Sequence, residues 1–272
     1  KTSSDFLIIA GIYADAVFSL DSKELGCQLY TDLVERIRQN PSCIALASSC
    51  KILHQAINSQ LQSARYDTAL AWIGILASLP GLPLEYQFIA QNRYGVAYIA
   101  LGKFKDAKVC LDDAMELAEK SMKNLYWTST AHSDLALYYF YNWKPLGKAT
   151  SAEQIIYEFE KAISDYQNFG KPDVSRDIEM AWHRAFLHIL KEDYQSACND
   201  AEDCIHLSQA NSQAYGLSRG YNLQSLAYLK NGDIDAARDS LEEGLHACEM
   251  YAFPAGIFRM YNNLGVVSCQ NG

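Results

Sequence analysis

Apolar residues recur along this chain at three- and four-residue spacing, and no stretch alternates apolar and polar positions as a half-buried strand would. The pattern predicts helices near 5–19, 22–39, 42–62, 66–78, 84–101, 104–122, 125–141, 151–168, 173–190, 193–209, 212–230, 233–250 and 255–270. Helix breakers fall between them at Asn40-Pro41, Pro80-Gly81-Leu82-Pro83, Gly170-Lys171-Pro172, Asn231-Gly232 and Phe253-Pro254. Ser3-Ser4-Asp5 ahead of the first apolar run reads as a helix cap, and Asn142 to Gly147 as an enlarged loop. Short helices in unbroken succession predict antiparallel pairs.

Self-similarity narrows the architecture. Tyr221-Asn222-Leu223 through Asn231-Gly232 recurs as Tyr261-Asn262-Asn263-Leu264 through Asn271-Gly272, an offset of 40 residues. Leu101 to Ala107 and Ala64 to Ala69 share a turn signature 38 residues apart. Repeats of this length mark helical solenoids, whose units bury their faces only by stacking on neighbours.

Three units show a common pattern of small and large residues: Gly95, Tyr98, Gly102, Ala107, Leu111 and Ala114; Ser225, Tyr228, Gly232, Ala237, Leu241 and Gly244; and Ala185, His188, Glu192, Ala197, Ala201 and Cys204. These residues resemble the tetratricopeptide repeat, in which small side chains let two helices approach and large ones fill the space between repeats. The resemblance implies an all-α, right-handed superhelical solenoid of antiparallel helix pairs. It covers most of residues 1–272, read as a single repeat domain, and is weakest at 1–50 and 142–154. The period of 38–40 exceeds the usual ~34 and resembles the sensor arrays of maltose-responsive, NTPase-linked transcription activators. Because the chain lacks an initial Met and stops at Gly272 where a second helix is due, it reads as a fragment truncated inside a repeat.

Composition removes several function classes. A net charge of −9 argues against a bulk-electrostatic grip on nucleic acid or an anionic membrane. The longest apolar run, Phe6 to Ala14, falls far short of the ~20 residues that cross a bilayer. The 8 cysteines form no CxxC pair and read as reduced, small core residues, which suits the cytoplasm. No cofactor is implied, since both GxxxxGK[ST] and GxGxxG are missing.

The remaining chemistry is sparse. Gly216-Leu217-Ser218-Arg219-Gly220 matches the GxSxG nucleophile elbow by letter, but no apolar strand precedes it, so a serine hydrolase using Ser218 is a remote alternative. His183 and His188 stand five apart, on diverging helix faces, and Asp200, Glu202 and Asp203 lack the spacing of a calcium loop; no metal site is expected.

The resemblance also implies a concave groove lined by the first helix of each pair. Its inward positions here are Asn92, Trp182, Asn222 and Asn262, with Arg219 and Arg259 three residues ahead of the last two and Arg93 and Asn263 beside the row. Asn offers donors and an acceptor to an extended peptide backbone, and Arg a fork for carboxylate or phosphate. Tyr215, Phe258 and Phe88 are candidate apolar contacts. The expected function is therefore non-enzymatic: a sensor module binding a peptide, protein or anionic small molecule, within a larger regulatory protein of bacterial type. A peptide-pheromone receptor and a plain protein scaffold are the alternatives. A homodimer is expected through an apolar C-terminal face that includes Leu264, Val267 and Cys269.

Overall fold

The structure, a computed structural model, describes residues 2–20, 23–39, 45–146 and 152–270. Asn40-Pro41, Cys43, Gly147 and Asn271-Gly272 lie outside the described residues. All regular structure among the described residues is helical, and it falls into two compact units, Lys1–Thr150 and Ser151–Gly272.

The first unit holds α1 (Thr2–Leu20), α2 (Lys23–Gln39), α3 (Leu46–Gln62), α4 (Tyr66–Ala77), α5 (Leu84–Ala100), α6 (Phe104–Glu116) and α7 (Leu125–Leu146). A π-helical turn, Leu117–Met122, continues α6. Successive helices pack in pairs, and α1, α3, α5 and α7 also contact one another in order, forming one layer. Between the layers lie the fully buried Tyr30, Leu53, Ile57, Ile73, Leu76 and Phe88. Two expectations change here. The first helix begins at Thr2, so Ser3-Ser4-Asp5 is inside it, and α7 runs on through 142–146 where a loop was expected.

The second unit holds α8 (Ala152–Phe169), α9 (Val174–Leu190), α10 (Tyr194–Ala210), α11 (Ala214–Lys230), α12 (Ile234–Met250) and α13 (Pro254–Gln270). From α9 onward each helix has 17 residues. A three-residue turn separates each from the next, so the starts fall at 174, 194, 214, 234 and 254.

The turn fixes this regularity. Its middle residue is left-handed each time: Glu192 (φ 61°), Ser212 (53°), Gly232 (85°) and Ala252 (45°). The next amide reaches back to a carbonyl five residues earlier: Asp193 to His188, Gln213 to Ser208, Asp233 to Tyr228 and Phe253 to Cys248, at 2.8–2.9 Å. These bonds satisfy the helix's last carbonyls. Asp193 and Asp233 then cap the following helix, accepting from the amides of Ser196 and Ala236. Glycine alone takes the left-handed shape without strain, which is why Gly232 and Gly102 (φ 70°) were visible as turns and Ser212 and Ala252 were not.

The small residues of the repeat lie at helix crossings. A Cβ on Gly95 would sit 2.6 Å from Leu111, and one on Gly220 would sit 2.6 Å from Ile205. Ala185 and Ser225 hold the position of Gly95 in α9 and α11, and both are buried. Opposite them Leu111 and Leu241 are almost completely buried, each contributing roughly 1.5–3 kcal/mol of apolar burial.

Candidate functional site: an arginine-bearing helix face

In the second unit α9, α11 and α13 contact one another in series, so residues at equal repeat positions stand side by side. Arg219 of α11 leans back over α9, and its guanidinium carbon lies 3.5 Å from the centroid of the Trp182 ring. Tyr215 approaches the same guanidinium at 5.2 Å. Trp182 is held in turn by stacking on Phe186, with centroids 5.5 Å apart. Arg219 has no carboxylate partner among the described residues. Stacking through its face leaves the N–H groups in its plane available.

One repeat further on, the polar contacts step from each helix to the next. Arg259 Nη1 donates to Ser218 Oγ at 2.8 Å. Asn263 Nδ2 donates to Asn222 Oδ1, and Asn262, which is exposed, donates to Asn263 at 3.3 Å. Of the expected residues, the structure therefore brings Trp182, Arg219, Asn222, Arg259, Asn262 and Asn263 onto adjoining helices of one unit.

Asn92 and Arg93 belong to the first unit and to a different environment. Asn92 was expected to face a groove, but it is 1% exposed and donates to Asp134 Oδ2 at 2.8 Å. Arg93 donates to Asn92 Oδ1 at 3.3 Å, and its Nε is buried without a partner. His54 on α3 joins this line; burial, with the Arg93 charge as a smaller cause, pushes its imidazole down to about 4. His54 and Asp134 escaped sequence reasoning because each is one polar residue among several on its helix, and spacing alone does not say which of them turns inward. The one usable signal was position: His54 lies 38 residues before Asn92, one repeat away.

Other candidates resolve into structure. The GxSxG match lies in the interior of α11, and Ser218 is completely buried, so it is not an elbow nucleophile. His183 is fully buried between Phe159 and Trp182; neither ring nitrogen has a hydrogen-bond partner, and burial drives it down to about 3. Asp200, one of the acidic residues without calcium-loop spacing, accepts from Arg184 Nε at 2.8 Å and pairs with His188 at 2.7 Å, joining α9 to α10. Burial pushes the Cys50 and Cys204 thiols up to about 11, the reverse of an activated nucleophile. Among the described residues no cluster of His, Cys, Asp or Glu is placed to hold a metal, and no helix is long and apolar enough to cross a membrane.

Two shallow hollows lie elsewhere. One of about 440 Å³ is lined by Leu79, Leu82, Gln87 and Leu117, and the other, about 460 Å³, follows the turn from Asn231 to Asp235. Neither includes an expected site residue. An extended ligand on a helix face does not require a closed cavity.

The paired helices, the small-residue crossings and the recurring turn define the class. The chain is a tetratricopeptide-like helical repeat protein, and the tetratricopeptide repeat family model matches residues 89–121 and 218–247. No curated protein matches it in sequence. Among solved structures it is similar to a Signal Transduction ATPase with Numerous Domains (STAND) protein with a tetratricopeptide repeat sensor, from Pyrococcus horikoshii. That match has 12% identity and a TM-score of 0.56, and covers 97% of this chain and 41% of the other. The chain thus spans about two fifths of that relative's length. It is also similar to BtubC (BKLC) from P. vanneervenii, with 13% identity, a TM-score of 0.53 and coverage of 93% of this chain and 92% of the other. Identities this low show a shared fold. Tetratricopeptide repeats are protein-interaction modules.

Proposed function

We propose that this chain is the ligand-sensing segment of a larger regulatory protein that joins a repeat array to an NTPase switch. In this reading the face of α9, α11 and α13 binds an extended acidic peptide, free or as part of a protein partner. Arg219 carries the reading: a half-buried guanidinium, oriented by Trp182, with no carboxylate among the described residues to neutralise it. The local charge has the same sense, since α11 and α13 carry Arg219 and Arg259 and no carboxylate, in a chain of net charge −9, while Arg176 on α9 is buried and paired with Glu179. A basic patch in an acidic protein attracts anions selectively and orients them.

Asn222, Asn262 and Asn263 supply amide donors and acceptors for a peptide backbone, and Tyr215 and Phe258, both exposed, supply apolar contact. A ligand bridging α11 and α13 biases how two repeats seat on each other, which gives occupancy a mechanical output. The seven described cysteines are all free, which supports a reducing compartment such as the cytoplasm. The likeness to a STAND protein with a repeat sensor supports the NTPase-linked setting.

The test is a peptide library of mixed charge titrated by fluorescence anisotropy. Acidic sequences should bind, and raised salt should weaken them. Equal affinity for acidic and basic sequences contradicts the reading.

A further inference from the structure

Of residues 215–226 on α11, five are not buried: Tyr215, Arg219, Asn222, Gln224 and Leu226. Gln224 turns toward α12, where its Oε1 accepts from Ser240 Oγ at 2.8 Å. The other four follow one another at spacings of four, three and four, which puts them on one face of the helix. α11 contacts both α9 and α13 within its layer, so this face is not the end of a stack. Of the apolar residues expected to be open on the last helix, α13, Cys269 is exposed, Leu264 half-buried and Val267 buried.

The same grading recurs across the unit. The sixth positions of α9, α11 and α13 are the charged Glu179, Arg219 and Arg259, the ninth are Trp182, Asn222 and Asn262, and the thirteenth are the apolar Phe186, Leu226 and Val266. Arg176 answers the charge of Glu179, whereas Arg219 meets Trp182 and no carboxylate among the described residues. Phe186 stacks on Trp182 and stands level with Leu226 one repeat on. The α11 face is thus cationic at one edge, amide-bearing in the middle and apolar at the other edge.

The distance between the two edges selects the conformation of what lies there. Arg219 and Leu226 are seven helix residues apart, about 10.5 Å along the axis. A β-strand returns side chains to the same side every second residue, roughly 6.7 Å or 13 Å apart, and neither distance matches. A polyproline II helix returns every third residue to the same side, about 9.3 Å apart, and makes no internal hydrogen bonds, which leaves its carbonyls for Asn222. Given that this face binds an acidic peptide, as proposed above, we infer that the bound segment is a polyproline II helix carrying an acidic and an aliphatic residue three positions apart. The carboxylate pairs with Arg219, and the aliphatic side chain lies over Leu226 and Phe186.

The probes are labelled peptides in which an aspartate and a leucine are separated by one, two or three prolines, made in both chain directions. They are titrated against the full chain by fluorescence anisotropy. With two prolines, in one of the two directions, affinity should exceed that of either other spacing by roughly fivefold or more. Leu226→Asn should cancel that preference and hold affinity for a leucine-free control peptide within about twofold, with melting temperatures recorded alongside. Equal affinity at all three spacings in the wild-type chain overturns the inference, whatever the variant does. So does a preference that survives Leu226→Asn, or tighter binding by a stapled helical peptide with the two residues seven apart. If replacing the aspartate by asparagine leaves every affinity unchanged, the acidic-peptide reading itself falls, and the inference with it.

Discussion

Asn92 and Asn222 hold the same position of the repeat in the two units, the ninth residue of a first helix, yet one is sealed in and the other is not. Asn92 donates to a carboxylate on the next helix of its layer, Asp134, and is 1% exposed. Asn222 is half-buried and accepts from another amide, Asn263. The partner one repeat ahead decides the outcome. A buried carboxylate demands donors and draws the asparagine into the interior. An amide pair satisfies itself and leaves donors and acceptors over for a ligand. The arginines follow suit: Arg93 donates to Asn92, while Arg219 lies on an aromatic ring. The first unit uses its polar row for cohesion, and the second holds its row at the surface.

Acidification should divide the units most. The imidazole of His183 in the second unit is held at about 3 by burial, against a usual 6.5, so the folded state takes up its proton later than the unfolded chain does. Its contribution is fully present above pH ~6.5 and is lost as pH falls toward ~3, on the order of 4 kcal/mol over that window. His54 in the first unit, held at about 4, loses less because its window closes sooner. Urea melts from pH 7 down to 3 should therefore show His183→Phe and His54→Phe flattening the acid limb alike to pH ~4, with only His183→Phe continuing to do so below it. Equal flattening down to pH 3 would remove this difference between the units.

Next in size is overpacking. Gly95→Leu should destabilise the first unit by roughly 1–3 kcal/mol, because the crossing with Leu111 has no space for a side chain. Denaturant titration measures it, and a neutral result would mean that the crossing relaxes. The smallest effect is the difference between the two asparagines, about 1 kcal/mol. Asn92→Ala removes a bond to a charged acceptor, about 1.5–3 kcal/mol, while Asn222→Ala removes a neutral one, about 0.5–1.5 kcal/mol. The reverse order in thermal melts would contradict the division of roles.

Much of the fold was legible because repeats impose a local grammar. The small–large alternation of Gly95, Leu111 and Ala114 and the glycine turns at Gly102 and Gly232 each report a contact that recurs along the chain. The added turns of α7 were hidden, since Pro145 signals a break that the helix passes before ending at Leu146. The candidate site was half legible. Position picked out Arg219, Arg259 and the asparagines, but what each one touches depends on the helix one repeat away. Neither the stacking of Arg219 on Trp182 nor the burial of Asn92 by Asp134 could be read from spacing.

The central claim, that the α9–α11–α13 face is the binding surface, is tested most directly by one affinity comparison. An acidic peptide selected from the library would be titrated against the wild-type chain, Arg219→Ala and Arg93→Ala by fluorescence anisotropy, with melting temperatures recorded alongside. Arg219→Ala should weaken binding by roughly tenfold or more, the loss of one charge-assisted contact of about 1.5–3 kcal/mol, with little change in melting temperature. Arg93→Ala should leave affinity near wild type. Unchanged affinity in Arg219→Ala, or a larger loss in Arg93→Ala, would contradict the account.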